Sequence, residues 1–250
     1  MTSQVPAQIP VLAFEEIDST NAEARRRAEA GEAGPLWITA RRQTAGRGRR
    51  GRSWDTSDGN LAATLLSVTD RAPGDAAQIS FVAALAVADM ARTFVPADLV
   101  KVKWPNDLMI GGRKASGILV ESGRRPDGRL WLATGVGVNL AHAPDNVERP
   151  ATSFAAHIEG VPPTPLEALD RLSEYFAGWT QAWDTLGFPA IAEAWTLRAQ
   201  GLGQPCVARL GAETLQGVAE GLDIDGALRL RLADGSIRRI TAGDVFFEGI

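Results

Sequence analysis

The chain has 250 residues, of which 45% are apolar and 22% charged, an ordinary composition for a soluble globular protein. Its net charge of -4 does not favour nucleic acid as the main ligand. A single cysteine, Cys206, excludes an internal disulfide framework, and two histidines do not favour a zinc site. The N-terminus lacks the pattern of a signal peptide, and the apolar stretch 79–90 is too short to span a bilayer. We therefore expect a cytoplasmic protein that binds no membrane.

The first hundred residues alternate strand and helix patterns. Residues 9–17 predict a strand, and the polar run 18–21 offers N-caps for the helix that follows. Residues 36–40 predict a short strand that leads into an arginine-rich loop, and residues 60–69 predict another strand. Residues 75–94 carry apolar side chains at a period near 3.6 and predict a helix.

The rest of the chain predicts hairpins, then helix, then a β-rich tail. Turn signals at Gly111-Gly112 and 126–128 separate strand-like runs between residues 99 and 140, and residues 165–199 are helical in pattern. Beyond residue 200 we expect no helix, only short β runs forming a small barrel or sandwich. The prediction is an α+β fold, with a mixed, largely antiparallel sheet and flanking helices in residues 1–200 and a small β domain in 201–250.

The loop QTAGRGRRGRSW, residues 43–54, contains the spacing G-x-G-x-x-G. A dinucleotide site would need a helix directly after it, but the turn-rich GRSWDTSDGN follows, so this interpretation is not favoured. Six arginines fall within residues 41–52, which contain no acid. Glycines and mutually repelling guanidinium groups are costly to order, so we expect an anion to order the loop. The alternative is a solvated basic loop.

Two further stretches suggest a ligand site. In KWPNDLMIGGRKASGILVES, Lys114 is followed by the small residues 115–117, which allow close approach of a ligand, while Asp107 could form a turn, bind a metal or orient a base. In GVGVNL, residues 135–140, alternating glycines leave one strand face bare. That face suits a flat ligand or close packing against another backbone.

Together and in this order, these stretches resemble the biotin protein ligases. The matching motifs are DSTN at 18–21, QTAGRGRRGRSW at 43–54, KWPNDL at 103–108, RKASGILVE at 113–121 and GVGVNL at 135–140. The resemblance implies a catalytic fold like that of class II aminoacyl-tRNA synthetases, followed by a small SH3-like β-barrel. It also implies two steps, in which biotin and MgATP form biotinyl-5'-adenylate and a lysine of a biotin carboxyl carrier domain then accepts biotin.

The resemblance also implies roles for individual residues. The catalytic group comprises Lys114, Arg47 and Asp107. The biotin-binding group comprises Ser19, Thr20, Asn21, Gln43, Gly46, Arg47, Gly48, Arg49, Lys114 and Gly117. The group for ATP and the adenylate comprises Arg47, Arg49, Arg50, Arg52, Trp54, Asn106, Lys114 and Asn139. We assign no metal ligand, and expect Mg²⁺ to arrive with ATP.

Two other functions compete with this one. A lipoate ligase has a similar fold, although GRGRRGRSW argues against it, and a lipoyl transferase would need a catalytic cysteine, whereas Cys206 lies in the β-rich tail. A nucleic-acid-binding module would use the arginines but leave Lys114 unexplained. Because DSTN begins at residue 18, we expect no helix-turn-helix domain and no sequence-specific DNA binding. The chain is expected to be a monomer or homodimer.

Overall fold

The computed structural model describes residues 9–145 and 150–247. The first sheet contains β1 (Val11–Ile17), β2 (Leu36–Gln43), β3 (Leu61–Thr69), β4 (Val100–Lys103), β5 (Asp107–Ile110), β6 (Arg113–Arg124) and β7 (Leu130–Val138). The C-terminal sheet contains β8 (Pro205–Arg209), β9 (Thr214–Leu222), β10 (Leu228–Arg231), β11 (Ile237–Ile240) and β12 (Asp244–Phe247). The helices are α1 (Thr20–Glu29), α2 (Pro73–Ala76), α3 (Ile79–Arg92), α4 (Pro165–Leu186) and α5 (Phe188–Arg198).

The first sheet is mixed and mostly antiparallel, which confirms the predicted α+β class. Its strand order is β1-β2-β3-β7-β6-β5-β4, and β1 pairs with β2 in parallel while every other pair is antiparallel. The C-terminal sheet has five antiparallel strands in the order β11-β10-β9-β8-β12. The described residues beyond 200 contain no helix, as expected. The division of the chain into units at residue 200 stays a prediction.

The two faces of the first sheet are covered differently. Alternation along β7 sends Leu132, Val136 and Val138 into the core beneath α3, α4 and α5. The intervening side chains face the other way, where Trp131 and Ala133 pack against α1. Because α1 covers only part of that second face, the glycine-rich end of β6 and β7 lies beyond it.

Helix α3 crosses the centre of the core and is apolar on nearly every side. Among the described residues, the segment 73–92 is long and apolar enough to cross a membrane by length and composition alone, with a mean hydropathy of 1.2 over an 18-residue window. In the fold, 72% of that window is buried. An all-round apolar helix with this burial is the core helix of a folded domain.

The predicted helical region 165–199 divides into α4 and α5 at Gly187, which has φ 75°. A capping box begins α4, since the Thr164 side chain accepts from the Glu167 backbone and the Glu167 carboxylate accepts from the Thr164 backbone. Leu172 and Phe176 are buried, whereas Leu166 in the first turn of α4 is 57% exposed.

Contacts of several kinds join the C-terminal sheet to the first sheet. Trp104 donates its indole N–H to the Gly226 carbonyl at 3.1 Å, and the Gln200 backbone donates to the Val102 carbonyl at 2.8 Å. The Phe81 ring of α3, which lies beside Gly226, also packs edge-on against Trp195 of α5, with ring centroids 5.6 Å apart. A Cβ on Gly226 would lie 2.6 Å from the Phe81 ring, so the turn before β10 packs closely against α3.

Replacing Gly226 with alanine should therefore destabilise the fold beyond the cost of the turn itself. Gly235 is the matched control, because both glycines follow an aspartate and have φ near +85° (88° and 84°), but Gly235 has nothing within 4 Å of its Cβ position. Gly235→Ala should cost about 1–2 kcal/mol for backbone strain. Gly226→Ala should cost a further 1–3 kcal/mol, roughly, for overpacking, measured by urea unfolding. Equal losses would mean that the contact between this turn and Phe81 contributes nothing to stability.

Candidate active site

A cleft opens on the second face of the first sheet, beyond α1 and beneath the arginine-rich loop. Strands β3, β6 and β7 form its floor, the start of α1 and the end of β2 close one end, and the loop and the start of β12 close the other. The side chains and backbone that line it are those of Ser19, Thr20, Asn21, Gln43, Arg47, Gly48, Arg49, Arg52, Ser53, Trp54, Ala62, Ala63, Asn106, Asp107, Lys114, Gly117, Ile118, Leu119, Gly135, Val136, Gly137 and Asp244.

The floor requires glycine because side chains lie directly on its backbone. A Cβ on Gly137 would fall 2.3 Å from the Trp54 ring, and one on Gly117 would fall 3.1 Å from it. A Cβ on Gly135 would fall 2.1 Å from the Asn21 amide oxygen. The bare strand face predicted from GVGVNL is thus a surface of close packing, with the Trp54 ring over Gly117 of β6 and Gly137 of β7.

The start of α1 presents three buried polar residues to the cleft. Ser19 is the N-cap, and its hydroxyl accepts from the Ala22 backbone. Asp18 accepts from both terminal nitrogens of Arg26, at 2.8 Å each, and this ion pair lowers the pKa of Asp18 to about 2. Cap and ion pair together fix the turn that carries Thr20 and Asn21 into the cleft.

A network of neutral hydrogen bonds connects these residues to neighbouring strands. The Thr20 backbone and hydroxyl lie 2.8 and 3.1 Å from the amide oxygen of Gln43, and the amide nitrogen of Gln43 donates to Thr56 at 3.0 Å. The Thr64 hydroxyl lies 2.8 Å from the Thr20 hydroxyl and 2.7 Å from the Asn21 amide oxygen. Because the Thr64 hydroxyl has one proton, it can donate to only one of these two oxygens at a time.

Thr64 was not among the predicted site residues. It is fully buried on β3, in the otherwise apolar run NLAATLLSVT, and faces the cleft side of the sheet. A hydroxyl at the centre of an apolar strand was the available signal, because buried polar groups need hydrogen-bond partners. The sequence pattern alone did not identify the hydrogen-bond partners of the Thr64 hydroxyl.

The arginine-rich loop is a short hairpin. The Trp54 backbone donates to the Gly46 carbonyl at 2.9 Å, and the Gly48 backbone donates to the Arg52 carbonyl at 2.7 Å. One 3₁₀ turn, Arg49–Gly51, closes it, with Arg50 in the left-handed region at φ 57°. No helix follows it, in agreement with the argument against a dinucleotide site.

Carboxylates of the protein itself pair with the cations of this loop and of β6. Arg47 lies 3.3 Å from Glu121, and Lys114 lies 2.5 Å from Asp107. The β12 residue Asp244, only 6% exposed, pairs with Arg50 at 3.3 Å and also with Arg52. The expectation that an external anion must order the loop missed these partners, because Glu121 and Asp244 are 74 and 192 or more residues away along the chain.

Arg49 is held deeper in the cleft than its neighbours. It donates to the Asn106 amide oxygen at 3.1 Å and approaches the Gly243 carbonyl at 3.5 Å, while the Asn106 amide nitrogen donates to the Ile118 carbonyl at 2.6 Å. Burial lowers the pKa of the Arg49 guanidinium, and the nearby Asp244 and Asp107 carboxylates oppose that shift. Arginine remains charged, so Arg49 is a half-buried cation that lines the cleft.

Lys114 is placed on β6 by a strand-like segment beyond β7. Its backbone N–H donates to the Pro150 carbonyl at 3.0 Å, and its carbonyl accepts from the Thr152 backbone at 2.9 Å. Its ammonium lies 3.3 Å from the Cβ position of Gly117 and 5.7 Å from the centroid of the Trp54 ring. The small residue at 117 thus leaves space for the lysine side chain.

Three predicted site residues do not line the cleft. Gly46 lies at the base of the hairpin, where a Cβ would fall 2.3 Å from the Trp54 carbonyl oxygen. Arg50 turns towards Asp244. Asn139 is buried, and its amide donates to the Thr152 carbonyl at 3.0 Å, so it holds the segment that supports Lys114. The structure brings the other predicted residues together in one cleft.

Comparison with known proteins gives the family. Residues 13–139 match the model of the biotin/lipoate A/B protein ligase family, and residues 201–248 match the biotin protein ligase C-terminal domain. A biotin–[acetyl-CoA-carboxylase] ligase of Paracoccus denitrificans is 44% identical over 93% of this chain and 98% of its own length. The chain belongs to the biotin protein ligase family.

Two more biotin ligases help to define the match. The bifunctional ligase/repressor BirA of Bacillus spizizenii is 31% identical over 83% of this chain, which spans 65% of that protein's length. The biotin protein ligase of Aquifex aeolicus in complex with biotin and ATP superposes with a TM-score of 0.79 at 24% identity, covering 95% of this chain and 97% of that one. The structural likeness shows that the fold of this ligase family extends over both sheets.

Gly137→Ala should displace Trp54 and destabilise the protein by about 1–3 kcal/mol, because the added methyl group overlaps the ring. Urea unfolding would measure the loss. In a Trp54→Ala background the overlap is removed, so the same glycine substitution should cost much less there. A cost that is equal in both backgrounds would contradict the contact between the Trp54 ring and the sheet.

Proposed function

We propose that this chain is an ATP-dependent biotin–[biotin carboxyl carrier protein] ligase. It would join biotin to AMP with release of pyrophosphate and then transfer biotin to one lysine of a carrier domain. The observation that carries the proposal is the chemical division of the cleft. One end is a recess of neutral hydrogen-bonding groups, and the other contains arginines and Lys114. This polarity suits a ligand with a neutral polar head and an anionic tail.

The neutral end would receive the ureido ring of biotin. Ser19, Thr20 and Gln43 line it with hydroxyl, backbone and amide groups, which can both donate and accept. Their positions are fixed by the α1 cap and by the Gln43 bridge between Thr20 and Thr56. A preorganised neutral network binds a neutral polar ring without leaving a buried charge unpaired.

The cationic end would carry the first chemical step. There, a carboxylate oxygen of biotin bonds to the α-phosphorus of ATP as the bond to pyrophosphate breaks, so two anions must approach each other. Arg47, Arg49 and Lys114 would offset that repulsion from fixed positions. Holding the reactants in line supplies further rate enhancement, and no side chain need act as a covalent nucleophile.

In the second step the amine of the carrier lysine attacks the acyl carbon, AMP leaves, and the amine loses a proton. Asp107 is the proposed acceptor of that proton. It is paired with Lys114 at 2.5 Å and lines the cleft. When Lys114 turns to the phosphate, the Asp107 carboxylate stays beside the reacting centre with its charge less neutralised. As a general base, a carboxylate in that position would take up the proton that the amine loses as the new amide bond forms.

Mg²⁺ would arrive with ATP. Within residues 9–145 and 150–247, no group of three or more histidine, cysteine, aspartate or glutamate side chains is arranged to hold a metal. Mg²⁺ commonly binds through one or two carboxylates plus substrate phosphates. Of the carboxylates that line the cleft, Asp107 and Asp244 would be the ones within reach of it.

The decisive experiment is incubation with biotin, MgATP and a purified biotin carrier domain. Mass spectrometry should find one biotin added to one lysine, and no product without ATP. Lipoate with a lipoyl domain is the parallel reaction, because the matched family includes lipoate ligases. Transfer of lipoate in place of biotin would overturn the proposal. Binding of RNA in preference to biotin would favour the competing nucleic-acid module.

Lys114→Ala should lower the rate of adenylate formation by about 100-fold or more, the typical cost of removing a fixed donor to a developing charge. Pyrophosphate release would measure it. Lys101→Ala is the matched control, since Lys101 also lies on a strand of the first sheet but does not line the cleft. Near-normal adenylate synthesis by Lys114→Ala would remove Lys114 from the chemistry.

Further expectations belong to this proposal. We infer that the acceptor is a carboxylase carrier domain, that the enzyme works in the cytoplasm as a monomer or homodimer, and that it binds neither membranes nor a specific operator. A gel-shift assay with upstream DNA of biotin-related genes checks the last point. Sequence-specific retardation of the DNA by this chain would contradict it.

A further inference from the structure

Glu121 ends the motif RKASGILVE, where it was assigned no role, yet it contacts two residues that line the cleft. It lies on β6 on the same strand face as Gly117 and Leu119, because side chains alternate along a strand. One of its carboxylate oxygens accepts from the Asn21 amide at 2.8 Å and from the Arg47 guanidinium at 3.3 Å. Glu121 is thus bonded both to the recess and to the hairpin that covers it.

The contact with Asn21 fixes the direction of that amide. Its nitrogen has two acceptors, the Glu121 carboxylate and the Leu119 carbonyl at 3.2 Å, while its oxygen lies 2.7 Å from the Thr64 hydroxyl. An ionised carboxylate can only accept, so a flipped amide would place two oxygens against each other. Asn21 is 4% exposed and has no solvent to compensate for that repulsion.

The contact with Arg47 ties the hairpin to the first sheet. On its other side the hairpin is held through Arg50 and Arg52 by Asp244 of the C-terminal sheet. Arg47 is the arginine of the hairpin nearest to its base, and its side chain is 42% exposed. Without Glu121, one flank of the hairpin would lose a charged attachment to the cleft floor.

We propose that Glu121 is a positioning residue of the ligase, which aligns Asn21 in the recess and holds Arg47 over the bound intermediate. This inference rests on the proposed function and deepens it. Glu121 does not line the cleft, so it acts through the two residues it contacts. Binding of a ligand in the recess and closure of the hairpin over that ligand are therefore coupled through the Glu121 carboxylate.

The test measures the dissociation rate of biotinyl-5'-adenylate from the enzyme. Glu121→Gln keeps the size and one acceptor oxygen but loses the charge. An exposed ion pair contributes about 0.2–1 kcal/mol, so its loss should accelerate dissociation by about 1.4- to 5-fold. Glu121→Asp keeps the charge but shortens its reach, and should change the rate in the same direction. Glu16→Gln, which breaks the exposed Arg42–Glu16 pair, is the control and should leave the rate unchanged.

A double-mutant cycle separates positioning from general stability. In an Arg47→Gln background, Glu121→Gln should accelerate dissociation by a clearly smaller factor, because much of its effect passes through Arg47. An unchanged rate in Glu121→Gln and Glu121→Asp, or an equal factor in both backgrounds, would overturn the inference. Failure of the wild-type chain to form the adenylate at all would instead overturn the proposed function.

Discussion

The arrangement of the site depends on neutralising a dense group of cations. Arg47, Arg49, Arg52 and Lys114 line one cleft and Arg50 lies in the same hairpin, so the mutual repulsion of these cations opposes folding. Glu121, Asp107 and Asp244 supply opposing charges from β6, β5 and β12. These carboxylates come from three strands in two sheets. The ion pairs that neutralise the arginines of the loop therefore also attach the loop to both sheets.

The ion pairs differ in how easily they adjust to a ligand. Arg47 and Glu121 are both partly exposed, and ion pairs of that kind contribute little to stability, so Arg47 can shift towards a bound anion at small cost while another of its N–H donors keeps Glu121. Asp244 is buried between two arginines, and breaking such a pair by removing one partner leaves an uncompensated charge. The guanidinium groups keep further N–H donors, so Asp244 can hold Arg52 while that residue also faces the cleft.

Much of the site was readable from the sequence because each motif is local. Lys114, Gln43 and the turn before α1 line the cleft as expected, since short-range patterns place them at strand ends and a helix start. Thr64, Glu121 and Asp244 were missed because their roles depend on strand pairing across the sheet. Nothing in the local sequence states that β6 brings Glu121 beside Asn21, which is 100 residues away. For the same reason the expectation that Asn139 lines the cleft was wrong. Its amide instead donates to the carbonyl of Thr152.

The C-terminal sheet is part of the site as well as part of the fold. Its residue Asp244 lines the cleft, and the Gly243 carbonyl approaches Arg49 at 3.5 Å. The same sheet is also anchored by the bond from Trp104 to Gly226, and Trp104 belongs to the motif that also supplies Asn106 and Asp107. One short segment, residues 103–108, therefore sets both the position of the second sheet and the depth of Arg49. A shift of that sheet would move the carboxylate on which the hairpin depends, so the geometry of the cationic end is a property of the two sheets together.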